Sequence, residues 1–224
     1  MKKKRLLIKL KKLVKIFVLY TIENDYKIYR IRNTKINIRF SLQKRYQSKW
    51  GYIPIQKNKI IFDNYMGMGY GCNCKYVAER LLRTPGTYDL VWVVKDVANN
   101  KHLFPKNIRL VEYMSEEAFK EYASAGIWIC NYHLIAYLNK GLQKKKGQVY
   151  IQLWHGSFGI KKIEGDCRNL VIDKNWEYLA KKNADVTDYW ISNSDFETKI
   201  YKQAFWNVKN ILEYGHPRND LFFM

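Results

Sequence analysis

From residue 59 onward, seven short runs of β-branched and aromatic residues alternate with helical stretches, and that rhythm leaves few folds open. The runs are Lys59–Asn64, Asp89–Val94, Ile108–Glu112, Ile127–Asn131, Val149–Leu153, Tyr189–Asn193 and Ile211–Tyr214. Helical patterns fall between most of them, at Lys75–Arg83, Ser115–Ala125, about Leu134–Leu142, Lys174–Asn183 and Asp195–Trp206. Strands that take turns with helices predict a mainly parallel sheet covered on both faces, because each crossover lays a helix across the sheet. The expected fold is therefore α/β, a doubly wound Rossmann-like domain whose ligands sit outside the carboxyl ends of the strands.

The loops that follow the strands are accordingly the places to look for chemistry. After the fifth run comes YIQLWHGSFGIKKIEGD, where a buried strand breaks into a loop carrying Trp154, His155, Gly156 and Ser157, followed by Lys161 and Lys162. An imidazole delivered onto such a loop is either a catalytic base or a polar turn residue stacked on Trp154. After the first run, DNYMGMGYGCN sets Gly67, Gly69 and Gly71 before a helix. That spacing lacks the full dinucleotide fingerprint, so phosphate cradling, close approach to another ligand and a plain turn all remain open. Asn131, Tyr132 and His133 close the fourth run, with His133 either at the strand end or at a helix start. In SNSDFE, Ser194 and Glu197 form a capping box, which leaves Ser192 and Asn193 free to face the cleft. In GHPRND, Gly215 permits a sharp turn, Pro217 can open a helix and Arg218 offers a forked cation to a phosphate.

Charge divides the chain. Of 40 Lys and Arg residues against 20 Asp and Glu, the first 50 positions hold 16 basic and only 2 acidic. Basicity therefore belongs mainly to an N-terminal segment suited to an anionic partner. In residues 1–20, Leu6, Leu10, Leu13, Val14, Phe17 and Tyr20 cluster on one side of a helical wheel, with Lys9, Lys11, Lys12 and Lys15 on the other. The longest apolar run, Ile16–Tyr20, is far too short to cross a bilayer, and no cleavage site marks a signal peptide. Such a helix either lies on an anionic membrane surface, through Lys2, Lys3, Lys4, Arg5, Lys9 and Lys12 with Leu6, Leu10, Leu13 and Phe17, or docks on the protein's own body. Residues 21–57 read as a basic linker or extension, in short strands or extended chain, and residues 58–224 as the Rossmann-like domain. Basic residues interleaved with aromatics also suit single-stranded nucleic acid, but no RNA- or DNA-binding signature accompanies them, so no nucleic-acid partner is expected.

Cys72, Cys74, Cys130 and Cys167 read as reduced thiols of a cytoplasmic protein. Cys72 and Cys74 are too close for an ordinary disulfide, and a tetrahedral metal site needs four ligands, so no metal is expected.

Taken in order, FDNYMGMGYGCNCKYVAERL, YIQLWHGSFGIKKIEGD, YWISNSDFETKIYKQAFW and ILEYGHPRND resemble the CDP-glycerol glycerophosphotransferase family, the glycerol- or ribitol-phosphate transferases of teichoic acid and capsule-type polymers. The resemblance runs from about Lys59 to Asp220. It implies a GT-B architecture with the active site between two Rossmann-like domains, and no cofactor. By this resemblance His155 is the catalytic base, taking the proton of an acceptor hydroxyl that attacks the β-phosphorus of CDP-glycerol or a related CDP-polyol and releases CMP. Lys161, Lys162 and Arg218 would meet the transferring phosphoryl group, with Gly67, Gly69, Gly156, Ser157, Ser192, Asn193 and Asp220 completing the substrate-binding set. The implied partners are a lipid-linked or polymer acceptor and an anionic membrane surface, at the cytoplasmic face of the cell membrane. The loop departs from the family's commonest form, with Ser157, Phe158 and Gly159 after WHG. His216 stands where many members carry an aromatic residue, so no catalytic role is assigned to it. The apolar ending LFF is expected to lead into a donor-binding half beyond Met224, without which the chain would be inactive. The alternatives are a non-catalytic membrane-binding remnant and, more remotely, a nucleic-acid-binding protein.

Overall fold

The computed structural model describes residues 41–156, 161–167 and 174–223. Among them, seven strands form one parallel sheet: β1 (Gln56–Asp63), β2 (Asp89–Val94), β3 (Ile108–Glu112), β4 (Ala125–Cys130), β5 (Val149–Gln152), β6 (Tyr189–Ile191) and β7 (Asn210–Leu212). Their order is β3-β2-β1-β4-β5-β6-β7, and every neighbouring pair runs parallel. All seven expected runs are strands of this sheet, and the expected α/β doubly wound fold is the one found. The chain builds outward from β1 in one direction, then returns to place β4 on its other side. The switch point therefore lies between the carboxyl ends of β1 and β4, at Asp63 and Cys130.

After residue 51, the α-helices among the described residues are α1 (Cys72–Arg83), α2 (Val97–Asn100), α3 (Glu116–Ser124), α4 (Ile135–Asn139), α5 (Lys174–Val186) and α6 (Asp195–Ala204). Side chains alternate across the pleat, so β1 sends Ile60 and Phe62 to one apolar layer and Ile61 to the other. One layer gathers Phe62, Trp92, Phe104 and Ala78 beneath α1, with Phe62 stacked on Trp92 at 5.3 Å. The opposite layer joins Trp128, Tyr122, Tyr137 and Tyr150 beneath α3 and α4. Trp154, Trp190, Tyr201 and Phe205 form a third cluster under α6, beside the site.

Local chemistry fixes the element ends. Ser115 caps α3 by accepting the Ala118 N–H, and Ser194 caps α6 by accepting the Glu197 N–H, as the serine positions lead one to expect. Glu197 reaches back to the Asn193 N–H, completing a reciprocal cap. Helix α1 begins at Cys72, three residues before the sequence pattern suggests, because Gly71 serves as N-cap and the Asn73 side chain is buried in the site rather than left in a loop.

The packed body also reaches back into the segment read as a linker. Residues 41–51 are helical, Tyr46 is buried, and Trp50 stacks on Phe119 at 5.4 Å. The domain boundary expected at residue 58 therefore falls inside the packed unit. The amphipathic segment 1–20 and the rest of 21–40 lie outside the described residues.

Candidate active site

Strand β5 ends in a backbone turn that aims His155 at the switch point. Trp154 adopts φ 50°, a left-handed conformation that costs a non-glycine residue energy. Neighbours hold it there. Its N–H donates to Gln152 Oε1 at 3.0 Å, and its ring packs edge-on against Phe205 at 4.8 Å. Gln152, fully buried, donates in turn to the Tyr132 carbonyl and the Tyr150 hydroxyl. Two loops thus share one side chain.

His155 comes to rest against the carboxyl end of β4, with Nδ1 2.8 Å from the Asn131 carbonyl. A carbonyl only accepts, so Nδ1 carries the proton and Nε2 keeps its lone pair. Tyr65 meets the ring edge-on at 4.6 Å, and Trp154 and Tyr132 flank it at 4.3 and 5.5 Å. Burial lowers the imidazole pKa from its ordinary value, opposed by the Asn131 hydrogen bond and reinforced by His133, Lys161 and Arg218. The neutral form therefore predominates at neutral pH, as a general base requires.

The turn after β7 brings the third group, and the start of α1 holds it. Arg218 donates through Nη1 to the His155 carbonyl at 2.8 Å and to Cys72 Sγ at 3.3 Å, so its guanidinium is fixed beside the imidazole. Asn73 supports both loops. Its amide donates to the Trp154 carbonyl at 2.9 Å and the Leu153 carbonyl at 3.2 Å, while its Oδ1 accepts the Arg218 N–H. Buried His216 lies behind Asn73, with Nδ1 3.3 Å from the amide and Nε2 3.0 Å from Glu197 Oε1. His216 is enclosed within this network and is absent from the cavity wall.

In front of His155 lies a cavity of about 670 Å³. Tyr65, Tyr132, Trp154 and Trp176 supply aromatic wall, Lys161, Lys162 and Arg218 supply cations, and Glu164 and Glu197 supply buried carboxylates. Of the positions singled out from the sequence, the structure brings His155, Gly156, Lys161, Lys162 and Arg218 together there. The others sit elsewhere. Ser192 is fully buried and pairs its hydroxyl with Thr198. Asn193 ties the β7 loop to β6 by accepting from Asn219 and the His216 N–H. Asp220 is exposed and does not border the cavity.

Gly67 donates its N–H to Asp63 and its carbonyl accepts from Lys95, so this glycine loop packs against β2. Gly69, at φ +100°, accepts from the Asn64 amide and likewise lies off the cavity wall. Ser157 lies outside the described residues.

Sequence reasoning gave no site role to Tyr65, Tyr132, Trp176, Glu164 or Asn73. For the two tyrosines a signal existed: each follows a strand that borders the switch point. Among the described residues no cluster of three or more His, Cys, Asp or Glu side chains could hold a metal.

The doubly wound sheet thus gathers a histidine and three cations around one cavity beyond its carboxyl strand ends, where an α/β domain of this class binds its ligands. The family model for CDP-glycerol:poly(glycerophosphate) glycerophosphotransferase matches residues 45–224, and the chain belongs to that family. Among curated relatives, it is 30% identical over 172 residues to a teichoic acid poly(glycerol phosphate) polymerase of Staphylococcus epidermidis, covering 75% of this chain and 23% of that protein. It is also 30% identical over 179 residues to the Bacillus spizizenii protein of the same name, covering 76% and 43%. The chain thus spans less than half the length of these relatives. The solved wall teichoic acid polymerase TagF, in a variant soaked with CDPG, shares the fold with a TM-score of 0.71 at 24% identity, covering 88% of this chain and 49% of that one. The Rossmann-like unit of a GT-B architecture expected from the sequence accordingly has a solved counterpart.

Proposed function

We propose that this chain supplies the acceptor-activating part of an enzyme that transfers a polyol phosphate, glycerol phosphate foremost, from a CDP-activated donor to a hydroxyl of a membrane-linked envelope polymer. The observation that carries this reading is His155 Nε2, which has no hydrogen-bond partner among the described residues, with Nδ1 bound to Asn131 and Arg218 fixed alongside. The acceptor hydroxyl gives its proton to Nε2 as its oxygen bonds to the β-phosphorus of the donor. The bond from that phosphorus to the bridging oxygen breaks, and CMP leaves with the electron pair. Lys161, Lys162 and Arg218 oppose the negative charge spread over the phosphoryl oxygens. Support for the donor comes from the relatives, named as poly(glycerol phosphate) polymerases, and from the related polymerase soaked with CDPG.

The basic segment 1–20 supports a peripheral position on the cytoplasmic face of the membrane, within reach of a lipid-linked acceptor. Among the described residues no helix is long and apolar enough to cross a membrane. The test is transfer of labelled glycerol phosphate from CDP-glycerol to a poly(glycerol phosphate) primer. The chain is assayed alone and supplemented with the C-terminal part of the S. epidermidis relative. The reading expects turnover only in the supplemented reaction, and a loss of roughly 100-fold or more in His155→Asn. Equal rates for the two would remove His155 from the chemistry. CDP-ribitol in the same assay separates the two polyols.

A further inference from the structure

Behind the lysine-bearing segment, the cavity wall holds a carboxylate that the chemistry above leaves unused. Glu164 lines the cavity yet is only 6% exposed. Its Oε1 is held by His133 Nε2 at 2.9 Å, whereas Oε2 is buried with no hydrogen-bond partner among the described residues. His133 is itself buried, and its ring lies 5.4 Å from Trp154 and 5.3 Å from Tyr132, the two rings that flank His155. A buried carboxylate oxygen without a partner is among the costlier groups to leave unmade, and such a group in a cavity wall calls for a ligand donor.

The surroundings define that donor. A phosphate would be repelled by the carboxylate, and a cationic ligand by Lys161, Lys162 and Arg218. What satisfies both is a hydroxyl carried on an anion: the O–H donates to Glu164 while the anion meets the cations. The aromatic wall of Trp154, Tyr132 and Trp176 suits the C–H faces of such a chain.

We infer that Glu164, steadied by His133, reads a hydroxyl of a polyol phosphate bound in this cavity, making it a specificity-determining residue of the site. This rests on the polyol-phosphate reading given above. The expected signature is discrimination. Binding of sn-glycerol 3-phosphate and of methyl phosphate is measured calorimetrically on the wild-type chain, on Glu164→Gln and on Lys161→Ala/Lys162→Ala. Wild type prefers glycerol phosphate by roughly tenfold or more, the worth of a hydrogen bond to a charged group.

Glu164→Gln loses most of that preference and keeps its affinity for methyl phosphate, whereas the double lysine variant weakens both ligands alike. A ligand-only control, propyl phosphate on wild type, which keeps the three-carbon chain and lacks every hydroxyl, loses the preference without any change to the protein. Three results overturn the assignment of Glu164 alone: an undiminished preference in Glu164→Gln, equal loss of both ligands in that variant, or no preference in wild type. Failure of wild type to bind either phosphate overturns the polyol-phosphate reading of the cavity as well.

Discussion

Replacing Asp63 by asparagine should make the protein more stable at alkaline pH and leave it unchanged in acid. Asp63 ends β1 at the switch point, almost fully buried, accepting the Gly67 N–H at 2.9 Å and the Tyr122 hydroxyl at 3.2 Å. Burial outweighs those bonds and pushes its pKa up to about 6, from 3.8 for the free group. The folded state therefore keeps a proton that the unfolded chain has already released, and stability falls as pH rises between those two values. At 1.36 kcal/mol per pH unit, the ionised carboxylate costs the fold about 3 kcal/mol above pH 7. Asparagine carries no such cost, still accepts from Gly67, and can pair its amide with the Tyr122 oxygen. Urea denaturation of both proteins from pH 4 to pH 8 measures the effect. Asp63→Asn should gain up to about 3 kcal/mol at pH 8 and nothing near pH 4. A difference that stays constant across this range, or a variant gain that grows toward acid, would refute the reasoning.

Three further outcomes follow from local geometry. Ser194→Ala should lower stability by about 1 kcal/mol in thermal melts, because the first turn of α6 loses its cap. Gly67→Ala should cost more than about 1 kcal/mol, since Gly67 sits at φ +77° and an added Cβ would lie 3.0 Å from both Lys95 N and Tyr113 Cβ. Arg218 spends a single nitrogen, Nη1, on the His155 carbonyl and Cys72, so a lysine making those contacts has no second nitrogen left to meet a phosphate, and Arg218→Lys should show roughly tenfold weaker binding of glycerol phosphate by titration at unchanged melting temperature.

The sheet was legible because its signal is local: each parallel strand is a short β-branched or aromatic run, and most crossovers carry a helix of their own. Strand order followed less directly, since nothing in the sequence of β4 says that it pairs with β1. That step matters for the site, because Tyr65, Tyr132 and Asn131 become neighbours only through it. His155, Lys161, Lys162 and Arg218 were found because they stand on loops at strand ends. Glu164 was hidden, since its pairing with His133 spans 31 positions and resembles any surface acid in the string KKIEGD. The Gly67 loop was left open between a ligand cradle and a plain turn, and what the structure adds is a positive φ at Gly67 in tight packing against Lys95 and Tyr113. Asn73 ties the β5 and β7 loops to α1 through one amide, a role that no spacing rule announces.

The central claim is that His155 presents a basic Nε2 because the Asn131 carbonyl holds the proton on Nδ1. Nitrogen-15 correlation spectra of the histidine ring, recorded against pH, report this directly on the chain as it stands. The account predicts the Nδ1–H tautomer at pH 7 and, since burial lowers the pKa, titration below 6.5. Stability follows the same sign: a histidine with a lowered folded pKa favours the folded state least in acid, where the unfolded chain takes up the proton first. An Nε2–H tautomer, or an imidazolium persisting at pH 7, would contradict the account.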